Sequence, residues 1–147
     1  MKIISPAFEH NKSIPSKYTC AGENINPPLE FSDVPESARS LALIMHDPDA
    51  PRENGFTHWV VWNINPSITD FKENSVPEDA IQGPNGRGEN SYTGPCPPSG
   101  THRYFFKLYA LDIKLDLTPD TDKSGLEKAM EGHILAQAEL IGLYSRK

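Results

Sequence analysis

The chain has 147 residues, a formal net charge of -6 at pH 7, and a composition that is 37% hydrophobic and 23% charged. This length suits one compact domain, which we expect to span residues 1–147. The acidic balance argues against nucleic-acid binding, because nothing in it supplies a basic surface to neutralise phosphates. Neither a signal-peptide pattern nor an apolar run of membrane-spanning length is present, so we expect a cytoplasmic protein without a transmembrane segment.

Strand signals dominate the chain from its start. Strong candidates, rich in β-branched and aromatic residues between Gly/Pro clusters, cover 40–46, 58–64 and 103–112. Weaker candidates cover 3–5, 29–31 and 113–117. Together they predict a mainly β fold, with two antiparallel sheets in a Greek-key-like β-sandwich and few helices.

The sequence predicts one substantial helix near the C-terminus, over about 124–140. Ser124 and Glu127 have capping-box spacing, and Leu126, Met130 and Ile134 recur at helical intervals. We expect these three apolar side chains to pack inward against a sheet. A second, short helix is predicted near 75–81.

Half of the segment 83–100 is glycine or proline, which excludes a regular element there. Long loops in compact domains are disproportionately binding loops, although this one could equally be a connector. Cys96 lies in the loop and Cys20 far from it, so we expect two reduced thiols, with a disulfide as the alternative.

Polar side chains capable of chemistry stand at the ends of the strong strand candidates. Asp47 and Asp49 follow the first in a stiff Asp-Pro turn, although such turns are often only structural. His102 and Tyr104 share one face of the third candidate. In the second candidate, alternation predicts one common face for four residues, namely His58, Val60, Trp62 and Ile64.

A lone histidine such as His58 is more often a satisfied core residue, but the four groups together would form a polar pocket suited to an anion. We expect Asp47 to accept a hydrogen bond from one histidine and to favour its charged form. A protonated His58 or His102 would then attract the anion, and binding would weaken as pH rises. Phosphate is the expected guest.

Other kinds of site are less well supported. Two histidines and two carboxylates could bind a divalent metal, yet no pair has the spacing of a metal motif. No nucleophile elbow, dinucleotide fingerprint or phosphate loop is present. An enzyme using Asp47 and His58 as an acid/base pair is the least favoured hypothesis. We therefore predict a non-enzymatic protein without catalytic residues, metal or cofactor.

Three segments in this order resemble the phosphatidylethanolamine-binding protein family. They are DPDAP at 47–51, a histidine that opens a V-V-x-N strand at 58–63, and GPCPPSGTHRYFFKLYAL at 94–111. With the tail GLEKAMEGHILAQAELIGLY at 125–144, the chain is most similar to the shorter prokaryotic Raf-kinase-inhibitor-like branch. His46 departs from the Asp or Thr common in relatives.

The resemblance implies a β fold with a pocket for phosphate-like or carboxylate groups, including phospholipid headgroups. It places ligand-binding roles on Asp47, Pro51, His58, Trp59, Gly94, Pro97, Pro98, His102 and Tyr104. It also suggests regulation of a signalling partner or, alternatively, inhibition of a serine protease or kinase through a surface loop. A homodimer is a further expectation from prokaryotic relatives.

Overall fold

Two β-sheets form the framework of the chain in the computed structural model, which describes residues 1–146. Within these residues, nine strands and one α-helix follow one another along the sequence, and a 3₁₀ turn covers Ser16–Tyr18. The elements are β1 (Lys2–Ile4), β2 (Lys12–Ser13), β3 (Leu29–Ser32), β4 (Ser40–Asp47), β5 (Phe56–Ile64), β6 (Asp70–Phe71), β7 (Ile81–Gln82), β8 (Thr101–Leu111), α1 (Lys123–Met130) and β9 (Ile134–Ser145).

The smaller sheet has the order β1-β3-β6, and the larger has the order β2-β9-β8-β4-β5-β7. Every strand pair is antiparallel except β2–β9, which is parallel. The predicted mainly β fold with two sheets is confirmed. The three strong strand candidates are the central strands β4, β5 and β8.

Apolar side chains cover both faces of the larger sheet. The main core lies on one face, where Leu43, Val61 and Phe106 pack with Phe31 of the smaller sheet. A second cluster lies on the other face, where Val60 and Trp62 pack with Leu126 of α1. Because both faces are buried, β4 is a nearly continuous run of buried residues, which explains its unbroken apolar sequence.

Two bulges in β5 change the face to which its side chains point. The pairing with β4 shifts between Met45 and His46, which leaves His58 as the extra residue, and shifts again before Ile64. Asn63, at the second bulge, has a positive φ of 54°. The predicted common face of His58, Val60, Trp62 and Ile64 is therefore wrong, since Ile64 joins Trp59 in the main core and only Val60 and Trp62 share the other face.

The predicted C-terminal helix is half as long as expected. It ends at Met130, the chain turns at Gly132 with φ of 80°, and β9 pairs along nearly the whole of β8. Leu126 and Met130 are buried as predicted, but Ile134 lies outside the helix and is 41% exposed. The segment AQAEL suits a helix by propensity, but pairing with a long neighbouring strand overrides that preference.

Local contacts explain the other differences. The Asp122 carboxylate, rather than Ser124, caps α1 by accepting from the Gly125 N–H at 3.0 Å. The predicted strand 113–117 does not form, because the bulge residue Asn63 bonds both backbone groups of Leu115 with its side-chain amide. The predicted helix at 75–81 is instead a turn that leads into β7.

The expectation of two reduced thiols is wrong. Cys20 and Cys96, 76 positions apart, form a disulfide. The long loop between β7 and β8 folds back onto the segment after the 3₁₀ turn, an approach that no local pattern reveals. Within residues 1–146, no helix is long and apolar enough to cross a membrane.

Candidate functional site

The site lies at one edge of the larger sheet, where β4 ends between the beginnings of β5 and β8. Antiparallel neighbours place the last residue of β4, Asp47, beside the first residues of the flanking strands. His58 and Tyr104 therefore reach it from opposite sides, and their rings meet edge to face at 5.2 Å. The loop 83–100 covers part of this edge and forms one wall of an open pocket of about 460 Å³.

Eight of the nine residues expected to bind a ligand line this pocket. They are Asp47, Pro51, His58, Gly94, Pro97, Pro98, His102 and Tyr104. Trp59 does not line it, because its ring is fully buried against Phe71 and Tyr92 and its indole N–H donates to Gln82 Oε1 at 2.7 Å. Trp59 is thus a core residue next to the site.

Asp47 is a buried acceptor with both oxygens engaged. Its Oδ1 accepts the Asp49 backbone N–H at 2.8 Å, and its Oδ2 lies 2.6 Å from His102 Nδ1. A carboxylate oxygen accepts, so this nitrogen carries the proton and Nε2 is the ring atom left for a ligand. The expected Asp–His bond therefore involves His102.

Asp49 holds the turn to β8 and stays out of the pocket. Its carboxylate accepts from the Arg103 guanidinium through two bonds of 2.8 and 2.9 Å, and from the Arg103 backbone N–H. The guanidinium is the main reason that the pKa of Asp49 falls to about 2. The two carboxylates of the Asp-Pro turn thus have separate tasks, one in the pocket and one in fixing the turn.

His58 is held by Thr93 from the pocket loop. Its Nδ1 donates to the Thr93 carbonyl at 2.7 Å, while its own backbone carbonyl accepts the Thr93 N–H. Burial lowers the pKa of His58 to about 4, despite the opposing effects of the Thr93 bond and of Asp47. Burial thus favours the neutral ring of His58 at neutral pH, in contrast to the charged ring expected from the sequence.

Tyr104 has a buried hydroxyl without a partner in the described chain. The side chain is fully buried, and its ring stacks beside His102 at 6.4 Å. Burial raises the pKa of the phenol, so the hydroxyl keeps its proton. A buried donor without an acceptor costs about 1–3 kcal/mol, which a ligand oxygen would recover.

Sequence reasoning missed several lining residues, notably Arg52, Phe56 and Arg87. The Arg52 guanidinium lies 5.0 Å from the centre of the Phe56 ring, and Phe56 meets His58 edge to face. Both arginines are exposed residues of loops. The only available signal was their position beside turn residues that were already candidates.

The pocket loop is tied to the segment 18–24 at several points. Gly94 donates its N–H to Asn24 Oδ1 at 2.8 Å, and the Tyr92 hydroxyl donates to the Tyr18 carbonyl. A Cβ on Gly94 would lie 2.3 Å from that carbonyl oxygen, so only glycine permits this approach. The disulfide joins the same two segments, with Cys96 at the pocket wall.

Comparisons with known proteins agree with this architecture. The sequence profile described as phosphatidylethanolamine-binding protein matches residues 4–145. A UPF0098 protein of Methanothermobacter thermautotrophicus is 53% identical over 151 residues, which cover 99% of both chains.

Two solved structures are similar along nearly their whole length. The phosphatidylethanolamine-binding protein homologue CT736 of Chlamydia trachomatis has a TM-score of 0.95 at 46% identity, covering 99% of this chain and 97% of that one. YbcL of E. coli, described as a member of the mammalian PEBP family, has a TM-score of 0.93 at 29% identity, covering 99% and 98%.

Proposed function

This chain belongs to the phosphatidylethanolamine-binding protein family, and we propose that it binds a small anion of the phosphate or carboxylate class without turning it over. The ligand-binding residues in this proposal are the eight lining residues named above. Phospholipid headgroups and free phosphorylated compounds both carry the required group.

The unpartnered hydroxyl of Tyr104 is the observation that carries the proposal. It is a fully buried donor at the wall of a pocket open to solvent. An anion oxygen is the acceptor that best compensates such a group, because hydrogen bonds to charged acceptors are stronger than neutral ones. Arg52 and Arg87, which line the same pocket, add positive charge.

The electrostatics of Asp47 are compatible with an anionic guest. Asp47 is 3% exposed, and each of its carboxylate oxygens accepts one hydrogen bond, from His102 or from the Asp49 N–H. These two donors partly compensate the charge of this pocket-lining carboxylate. The apolar rings of Phe56 and the two loop prolines, Pro97 and Pro98, lower the local polarity, which strengthens any hydrogen bond formed there.

Calorimetric titration with phosphoethanolamine tests the proposal. We expect saturable binding by the parent, and an affinity loss of about 10- to 100-fold in Tyr104→Phe, which removes only the hydroxyl. Tyr109→Phe is the matched control, because Tyr109 packs in the second cluster on the other face of the sheet. Absence of binding to phosphoethanolamine, inorganic phosphate and acetate would overturn the proposal.

Inhibition of a serine protease or kinase through a surface loop is the alternative function. Regulation of a signalling partner would be a further role of the proposed anion binding. Titrating a panel of serine proteases with this protein separates inhibition from ligand binding.

Homodimer formation and a cytoplasmic location also belong to the proposal. The disulfide bears on the location, because such bonds are rare in the cytosol except in hyperthermophiles. Alkylation of free thiols in intact cells would test whether Cys20 and Cys96 are joined by the disulfide there.

A further inference from the structure

The hydrogen bond between His58 and Thr93 determines what His58 offers to a ligand. A backbone carbonyl can only accept, so Nδ1 must carry the proton in the 2.7 Å contact. In the neutral ring, Nε2 then has a lone pair and no proton. The Thr93 N–H bonds the His58 carbonyl in return, so the ring and the loop are held together at two points.

The groups around this ring leave it neutral. Phe56 and Tyr104 contact it edge to face, and the side chain is largely removed from water. Burial is the main cause that lowers the pKa of His58 to about 4. Among charged or titratable groups, Asp47 acts in the opposite direction, while His46 on the other face of the sheet and His102 across the pocket act with burial. Arg52 and Arg87 are the other charged residues that line the pocket beside Asp47 and the histidines.

A fully ionised anion does not match this arrangement. Tyr104 presents a hydroxyl donor, but Nε2 of His58 presents a lone pair, which repels a second lone pair on a ligand oxygen. One acidic proton between Nε2 of His58 and the ligand oxygen turns this repulsion into a hydrogen bond. Either the ligand brings that proton or the ring must acquire it.

Resting on the proposed function, we propose that the pocket is specific for small phosphate monoesters bound with one acidic proton, which lies between a phosphate oxygen and Nε2 of His58. A monoester has its second pKa near 6 and accepts this proton readily. A phosphodiester has no ionisation in this range, so the proton would have to be placed on the buried ring. The headgroup of a diester lipid is therefore a poor guest.

The expected discrimination follows from where the proton must go. Protonating a monoester at pH 7.5 is easier than protonating the buried His58 ring, whose pKa burial lowers to about 4, so a monoester should bind up to about 100-fold more tightly than a diester. Phosphoethanolamine and glycerophosphoethanolamine share the ethanolamine group and differ in ester class. They form the matched pair of probes.

Titration calorimetry of both probes at pH 7.5, in Tris and in HEPES, measures affinity and the number of protons taken up. For phosphoethanolamine we expect uptake of about one proton and a ³¹P chemical shift typical of the monoanion while it is bound. His58→Gln presents an amide at the position of Nε2, so uptake and discrimination should both be lost. His133→Gln, at a half-exposed histidine paired with Asp112, should keep both.

The outcomes separate this inference from the proposed function. Tight binding without proton uptake, a dianionic ³¹P shift, or uptake retained in His58→Gln would overturn the inference alone. Equal affinity for the monoester and the diester would do the same. Absence of binding by every anion would overturn the proposed function and this inference with it. Because the ³¹P measurement uses the parent protein, the test does not depend on the folding of a variant.

Discussion

The disulfide should contribute much of the stability of this protein, and its removal should leave the pocket largely unchanged. Replacing Cys20 and Cys96 together by Ser removes a link between residues 76 positions apart. In the chain-entropy model, a ring of this size stabilises the folded state by about 4.5 kcal/mol at 25 °C. Both cysteines are exposed, so serine adds no buried polar group.

The double substitution removes none of the groups that make the other contacts of the pocket loop. In the parent, the Cys20 backbone N–H donates to the Pro95 carbonyl and the Gly94 N–H donates to Asn24, and we expect both bonds to persist in the variant. The Tyr92 hydroxyl also keeps its acceptor. The substitution should therefore act mainly on the unfolded chain, and the affinity for phosphoethanolamine should change by less than about fivefold.

Urea unfolding of the double variant and of the parent, with and without reductant, measures the effect. With a slope of about 2 kcal/mol/M, the midpoint should fall by about 2 M, and the reduced parent should match the variant. A fall of less than about 0.5 M would refute the entropic reasoning. A loss of affinity greater than tenfold would instead show that the disulfide holds the pocket loop in place.

Three further outcomes follow from the structure. Met130→Asp should lower the free energy of unfolding by several kcal/mol because Met130 is 1% exposed, whereas Ile134→Asp, at 41% exposure, should cost less than about 1 kcal/mol; equal effects in thermal unfolding would contradict the helix boundary. The pKa of Asp49 is depressed to about 2 in the folded state, so its pairing with Arg103 stabilises the fold above the ordinary pKa near 3.8 and this contribution is lost as pH falls through about 2. Asp49→Asn should accordingly flatten the fall in stability between pH 4 and 2, and an unchanged pH profile would refute this role. Gly94→Ala should weaken both stability and phosphoethanolamine binding, because the new methyl would lie 2.3 Å from a backbone carbonyl oxygen. If calorimetry gave the variant the stability and affinity of the parent, the loop would be able to move away from this contact.

Local patterns in the sequence were sufficient for the strands that form the centre of the larger sheet. Runs such as 40–46 are apolar and β-branched because both faces of the sheet are buried, and this property is visible in the chain itself. The pattern failed at 134–140, where a segment with good helix propensity is a strand. Its neighbour β8 supplies the pairing that decides the outcome, and β8 lies some thirty positions earlier in the chain.

The candidate site divides in the same way. The residue types and the turns at strand ends were readable from the sequence, and so was the convergence of Asp47, His58, His102 and Tyr104 on one pocket, from their positions at strand ends and from the resemblance. The face on which His58 lies depends on a bulge opposite Met45, and its neutral state depends on burial and on the Thr93 carbonyl. The disulfide depends on two loops that meet only in the folded chain. Periodicity and propensity act over a few residues, whereas register, burial and proton affinity depend on atoms that are distant in sequence and become neighbours only when the sheets are assembled.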